Sequence, residues 1–182
     1  MIRQLSILAL VAIFQCLGLP SARAEVAASA PSSFVLQAEG STTATPDAAW
    51  AALGRIGAWW SSAHTYSGDS ARLSLQRRAG GCFCERWEGQ SVEHARVVLV
   101  MEQNGVRTLR LQGALGPLQE MGVSGVLTFT VAPHPGGAML TMTYRVAGDP
   151  GLGLAELAPL VDQVLMEQFA RLRSYATSGA PQ

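Results

Sequence analysis

The side chains with the clearest chemical potential are a strand carboxylate, two histidines and a closely spaced cysteine pair. Glu85 stands between Phe83 and Trp87 in the run Gly80 to Trp87 (GGCFCERW), and residues two apart in a strand share a face. If that face is concave, a carboxylate looks into an apolar cavity. Desolvation there disfavours its charged form, making Glu85 a general acid or a hydrogen-bond donor to a polar ligand group. The competing reading is an ion pair with an arginine of the next strand, such as Arg96; the sequence favours this structural role, because ordinary ion pairs also perturb carboxylates. His94 lies in a strongly apolar run, and His64 lies beside Tyr66 and Asp69 in the segment Trp59 to Asp69 (WWSSAHTYSGD). Folding could assemble these groups into an acid–base pair at a cavity mouth. Against that, a lone strand histidine is more often structural, and Asp69 with Gly68 has the makings of a turn cap.

Cys82 and Cys84 share a strand face, but two-apart Cα atoms in an extended strand lie at roughly 6.5 to 7 Å, the far limit for a disulfide, so free thiols are expected. A zinc site would need two further ligands, for instance His94 and Glu85, and Glu85 points to the opposite face; no metal is expected. The sequence contains no lysine, which excludes a Schiff base, and nothing calls for a cofactor. Trp59, Trp60, Tyr66, Trp87 and Tyr144 are candidate pocket walls, with Val161 and Leu165 of the last helix facing them. Met101, Met121, Met139 and Met142 could line an adaptable pocket or fill core gaps.

These residues must be positioned by the elements around them. With 182 residues, 48% apolar and 14% charged, the chain has the makings of one domain with a substantial core. Residues 1–24 read as a secretory signal: Arg3, an apolar run from Leu5 to Leu19, and the A-x-A site Ala22-Arg23-Ala24. Cys16 lacks the small preceding residues of a lipid-attachment site, and the apolar run is shorter than the roughly 20 residues of a membrane span. A periplasmic or secreted protein is expected, with no stable span after cleavage. Cleavage would leave 11 arginines against 13 acidic residues, 11 − 13 = −2, which gives no sign of nucleic-acid binding.

Residues 25–33 (EVAASAPSS) have the composition of a flexible tether, residues 34–177 that of the domain, and residues 178–182 that of a tail. Residues 34–44 alternate as a strand. Thr45-Pro46-Asp47 then opens a short helix, with Thr45 as N-cap and Pro46 at the first helical position, and residues 56–60 make a second short turn of helix. Further strands fall at about 72–76, 82–88, 92–102, 107–114, 125–132 and 138–147, separated by Gly80-Gly81, Glu88-Gly89-Gln90, Asn104-Gly105 and Pro135-Gly136-Gly137. Residues 115–124 form an excursion at the sheet rim, which is also a candidate docking surface for a protein partner. The chain ends in an amphipathic helix over residues 159–176, with Pro159 in its first turn. Asp162, Glu167 and Arg171 face outward, the last two as an i,i+4 pair.

The Thr45-Pro46 entry into a helix carrying Trp50, the Trp59-Trp60 pair, Gly80-Gly81 opening the strand through Glu85-Arg86, and the terminal helix together resemble the SRPBCC or START-like superfamily. The similarity is to its branch of small bacterial proteins that includes polyketide cyclases and heat-shock ATPase activators. The resemblance implies an α+β helix-grip fold, a seven-stranded antiparallel sheet wrapped around a long C-terminal helix, with two short helices after the first strand. It also implies a pocket for a lipid, sterol, polyketide or other small hydrophobic ligand. The fold hosts carriers and enzymes alike, so three functions are carried forward: ligand binding without covalent chemistry, a cyclase- or hydrolase-like enzyme using Glu85 or His94, and a partner-binding envelope protein docking through surfaces such as residues 115–124. An ATPase-activator role fits poorly with export. The signal-like start and the Cys82-x-Cys84 pair are departures from the family pattern.

Overall fold

The computed structural model describes residues 23–182. The leader expected over residues 1–24, with Cys16 inside it, lies outside the described residues except for its last two.

One antiparallel sheet supplies the frame. Its strands are β1 (Arg23–Ala30), β2 (Ser33–Thr42), β3 (Leu73–Leu75), β4 (Cys82–Trp87), β5 (Gln90–Gln103), β6 (Val106–Gln112), β7 (Ser124–His134) and β8 (Gly137–Ala147). They lie in the order β1-β2-β8-β7-β6-β5-β4-β3. The sheet therefore has eight strands rather than seven. The extra one comes from the segment expected to be a tether: β1 pairs with β2 from Arg23↔Glu39 to Ala30↔Ser33, and Val26 packs against the core. Small residues make a weak strand pattern, but the free edge of β2 satisfies the backbone groups of β1 regardless of side chain.

Two short helices follow β2, α1 (Pro46–Gly54) and α2 (Ile56–Trp59). Thr45 caps α1 by accepting from the Ala48 N–H at 3.2 Å; α1 buries Ala49, Ala52 and Leu53 in the core, and α2 buries Ile56 and Trp59. Residues 61–72 then cross the open end of the sheet through two 3-10 turns, Ser62–His64 and Ser70–Arg72. The hairpin between β5 and β6 turns at Asn104 and Gly105, both in the left-handed region with φ 52° and 77°, as a two-residue turn of this type requires.

The closing helix α3 runs Leu154–Ser178, five residues further toward the N-terminus than expected. Pro159 thus sits in the second turn and removes one backbone hydrogen bond. The first turn persists because Leu154 and Ala158 are fully buried. Leu165, Phe169 and Leu172 continue that stripe against Phe34, Leu36, Phe129 and Met142 of the sheet. The outward face also differs from expectation. Glu167 pairs with His64 at 3.1 Å, and Arg171 donates from Nε to the Trp59 carbonyl at 2.8 Å, so no Glu167–Arg171 pair forms. Asp162 is half-buried with Oδ1 unpaired among the described residues, and burial pushes its carboxyl up.

Cys82 and Cys84 are joined by a disulfide, with Cα atoms 5.4 Å apart. This replaces the expectation of free thiols: the strand is contracted here to a spacing that a disulfide spans readily. The Glu93 carboxylate lies beside the two sulfurs, but sulfurs bonded to each other offer no thiolate to a metal.

Candidate functional site

A cavity of about 530 Å³ opens between the β4–β5 end of the sheet and the N-terminal half of α3. Its floor is Phe83 and His94. One wall is the crossing segment, with Trp60, His64, Thr65 and Tyr66; the other is α3, with Leu157, Leu160, Val161, Val164 and Leu165. The excursion between β6 and β7 closes the rim with Leu115, Pro117, Leu118 and Met121, and Glu120 is the acidic group of this rim.

A bulge aims His94 into this space. Phe83 pairs with Ala95 while Cys84 pairs with Glu93, which leaves His94 as the additional residue of β5. Strand alternation is broken there, and His94 and Ala95 are buried consecutively. Phe83 packs on the imidazole with ring centroids 4.8 Å apart, and Tyr66 stacks on it at 5.9 Å.

Behind His94 lies Glu85, with no exposed surface. Its Oε2 accepts from His94 Nε2 at 3.0 Å and from the Tyr66 N–H at 3.1 Å, and its Oε1 accepts from the Ser67 N–H at 2.5 Å. Burial alone would push this carboxyl up, but the hydrogen bonds from Ser67, Tyr66 and His94 outweigh it and hold the group below the usual range. Glu85 is therefore an ionised acceptor rather than a general acid. The arginine expected to pair with it, Arg96, instead binds Glu93 at 2.6 Å on the outer face.

Burial pushes His94 down, and the attraction of Glu85 only partly opposes this. The imidazole is thus neutral, and an acceptor-only carboxylate at Nε2 requires the proton to sit there. Nδ1 carries the lone pair. It has no partner among the described residues and is not sealed off from the cavity.

The other sequence candidates separate clearly in space. Trp60, Tyr66, Val161, Leu165 and His64 line the cavity. His64 and His94 do not form one acid–base unit; each is bound to its own glutamate. Asp69 caps the turn Ser70–Arg72 by accepting from the Ala71 N–H at 2.9 Å, and it pairs with Arg72. Trp59 is core, its Nε1 donating to the Ala52 carbonyl at 3.1 Å. Trp87 borders a shallow hollow near Arg72 and Arg86, apart from the cavity.

Tyr144 is fully buried below the rim rather than in the wall. Its hydroxyl accepts from the Leu115 N–H at 3.0 Å and reaches the Gly113 carbonyl at 3.3 Å, and burial pushes it up to about 12. Gly125 makes the room, since a Cβ there would stand 2.7 Å from that hydroxyl. Phe83 and the rim residues Leu115, Pro117 and Leu118 were not among the sequence candidates. The i, i+3, i+6 spacing of Leu115, Leu118 and Met121 was the signal that the excursion turns an apolar face inward.

The electrostatics of the dyad carry a pH dependence. His94 has a folded value below its unfolded value, so as pH falls below about 6.5 the unfolded chain takes a proton that the folded chain refuses, and stability drops. Glu85, also lowered, contributes stability that is present above about 4.3 and is lost as pH falls through its folded value. Thermal melts from pH 8 to pH 2 are expected to decline in both windows. His94→Phe should remove the upper one, whose slope is at most about 1.4 kcal/mol per pH unit; an unchanged upper slope in the variant would rule out a neutral, buried His94.

No family model matches this chain, and no curated protein matches it by sequence. Solved structures do match. The protein CalU16 from Micromonospora echinospora aligns at TM-score 0.55 and 13% identity over 90% of this chain and 88% of that one. An uncharacterised protein from Rhizobium leguminosarum aligns at 0.54 and 17% identity, covering 86% and 98%. A Thalictrum norcoclaurine synthase, solved with a transition-state analogue, aligns at 0.51 and 14% identity, covering 79% and 94%. The likeness is one of fold: an antiparallel sheet gripping a long C-terminal helix.

Proposed function

We propose that the chain is an exported helix-grip protein of the SRPBCC or START-like kind that holds one small hydrophobic ligand between the sheet and α3. The observation that carries this reading is the cavity of about 530 Å³, walled by Trp60, Phe83, Leu115, Leu118, Val161 and Leu165. Its size and apolar lining suit a small molecule. Among the described residues no helix is long and apolar enough to cross a membrane; export itself rests on the signal-like residues 1–24.

Two measurements test the reading. Protein purified gently from its own envelope should show a co-purifying apolar mass by native mass spectrometry, or bind Nile red in a saturable way that apolar compounds reverse. Protein that neither retains nor takes up such a compound would sink the ligand-binding proposal. Export is tested by the N-terminal sequence of the cellular protein: an intact Met1 in the cytosolic fraction would overturn it.

A second reading, a cyclase- or hydrolase-like enzyme, draws on the Glu85–His94 pair, since a carboxylate-oriented imidazole is the usual arrangement of a general base. It is the weaker of the two. Among the described residues no arginine lines the cavity, and the Trp60 Nε1 and Thr65 hydroxyl donors are already committed to the His64 and Ser62 carbonyls, which leaves little to stabilise charge developing on a substrate.

A further inference from the structure

Resting on the reading of the cavity as a small-molecule site, the geometry points to its ligand class: a neutral, flat, apolar molecule bearing one hydroxyl, as in a phenol, whose O–H donates to Nδ1 of His94. Three independent features converge on this.

The first is the fixed direction of the imidazole. Glu85 takes the Nε2 proton at 3.0 Å and is itself held by the Tyr66 and Ser67 backbone, so the ring cannot offer a proton to the cavity. His94 is 7% exposed; its hydrogen bond uses Nε2, and Nδ1, unpartnered among the described residues, is open to the cavity. An acceptor opening onto apolar walls is best satisfied by a donor that the ligand itself brings.

The second is charge. Among the described residues no arginine lines the cavity, Glu120 is part of its rim, and Glu167 sits against His64 of its wall. With Glu85 ionised behind the floor, a carboxylate or phosphate head group would enter a field of largely its own sign, the basic side chain of the wall, His64, being already bound to Glu167. Fatty acids and phospholipid head groups are thereby disfavoured relative to neutral hydroxyl compounds.

The third is shape. Phe83 and Tyr66 flank the imidazole at ring angles of 33° and 28°, and Trp60 packs edge-on against Phe83. Aromatic walls of this kind favour a planar ring whose edge carries the hydroxyl to Nδ1.

Three isosteric probes separate the possibilities: naphthol, methoxynaphthalene and naphthoate, each titrated by tryptophan quenching and competition with Nile red. The wild-type protein is expected to bind naphthol about tenfold more tightly than methoxynaphthalene, and naphthoate more weakly than either. In His94→Phe, which keeps a ring in place, naphthol and methoxynaphthalene should bind alike. Should that variant not fold, nitrogen NMR of the wild type gives the same answer, because naphthol but not methoxynaphthalene should shift the His94 Nδ1 resonance. Equal wild-type affinities for naphthol and methoxynaphthalene would overturn the hydroxyl assignment while leaving the apolar cavity intact. Tight naphthoate binding would overturn the charge argument. Failure of all three to bind would bring down the small-molecule reading and this inference with it.

Discussion

Glu85→Ala is expected to lower folding stability by about 3 kcal/mol, because it takes the shared acceptor from three hydrogen-bond donors. The carboxylate has no solvent contact and serves three donors, the Tyr66 and Ser67 backbone N–H groups and His94 Nε2. Alanine leaves all three without an acceptor; a fully buried orphan costs about 1–3 kcal/mol, which applies to His94 Nε2, while the two part-buried N–H groups lose less. The loss is local before it is global, because these bonds tie the crossing segment to β4. Hydrogen exchange at Tyr66 and Ser67 should accelerate more than exchange in β7 or β8. Glu85→Gln retains an acceptor oxygen but turns an NH2 group toward a donor, so it should fall between wild type and alanine. Denaturant titration decides the matter: a loss under about 1 kcal/mol for the alanine variant would mean that Glu85 is not the anchor of this wall.

Much of the frame around this anchor was legible in the sequence, and the reason is periodicity. Strands β7 and β8 alternate cleanly, and turn residues or the rim excursion separate β4 to β8, so their positions emerge to within a few residues. The Thr45-Pro46-Asp47 entry to α1 is equally local, as is the shared face of Phe83 and Glu85. The parts that were not legible depend on two segments at once. Strand β1 exists because β2 offers an edge, not because EVAASA reads strongly as a strand. The bulge that turns His94 inward is a mismatch in register between β4 and β5, and neither strand announces it alone. The residue of β5 that meets Glu85 depends on this register, which brings His94 to it and leaves Arg96 opposite Cys82. The early start of α3 likewise follows from the burial of Leu154 and Ala158, a tertiary gain that overrides the usual first-turn placement of Pro159.

The neighbouring tryptophans show the same limit and carry the second large expected effect. Trp59→Ala should cost about 3–5 kcal/mol, the range for deleting a large aromatic side chain from a packed core. Trp59 is fully buried, makes an edge contact with Phe129 at 6.5 Å, and gives Nε1 to the Ala52 carbonyl at 3.1 Å, so its loss leaves a void and takes one of two donors from that carbonyl, which keeps the Arg55 N–H at 2.9 Å. Trp60 is nearly as buried, and its Nε1 is similarly bound, to the His64 carbonyl at 3.0 Å. It differs in packing, because one side of its ring faces the cavity and has fewer protein atoms to lose. Trp60→Ala should therefore cost less, about 2–3 kcal/mol, while weakening Nile red binding by about tenfold as the cavity loses a wall. Trp59→Ala, assayed at a temperature where it remains folded, should leave that affinity within about twofold. Comparable losses of stability and of binding in both variants would contradict the division of the pair into one core residue and one wall residue. The reverse pattern, with Trp59 controlling the probe, would move the ligand site beneath α1 and away from His94.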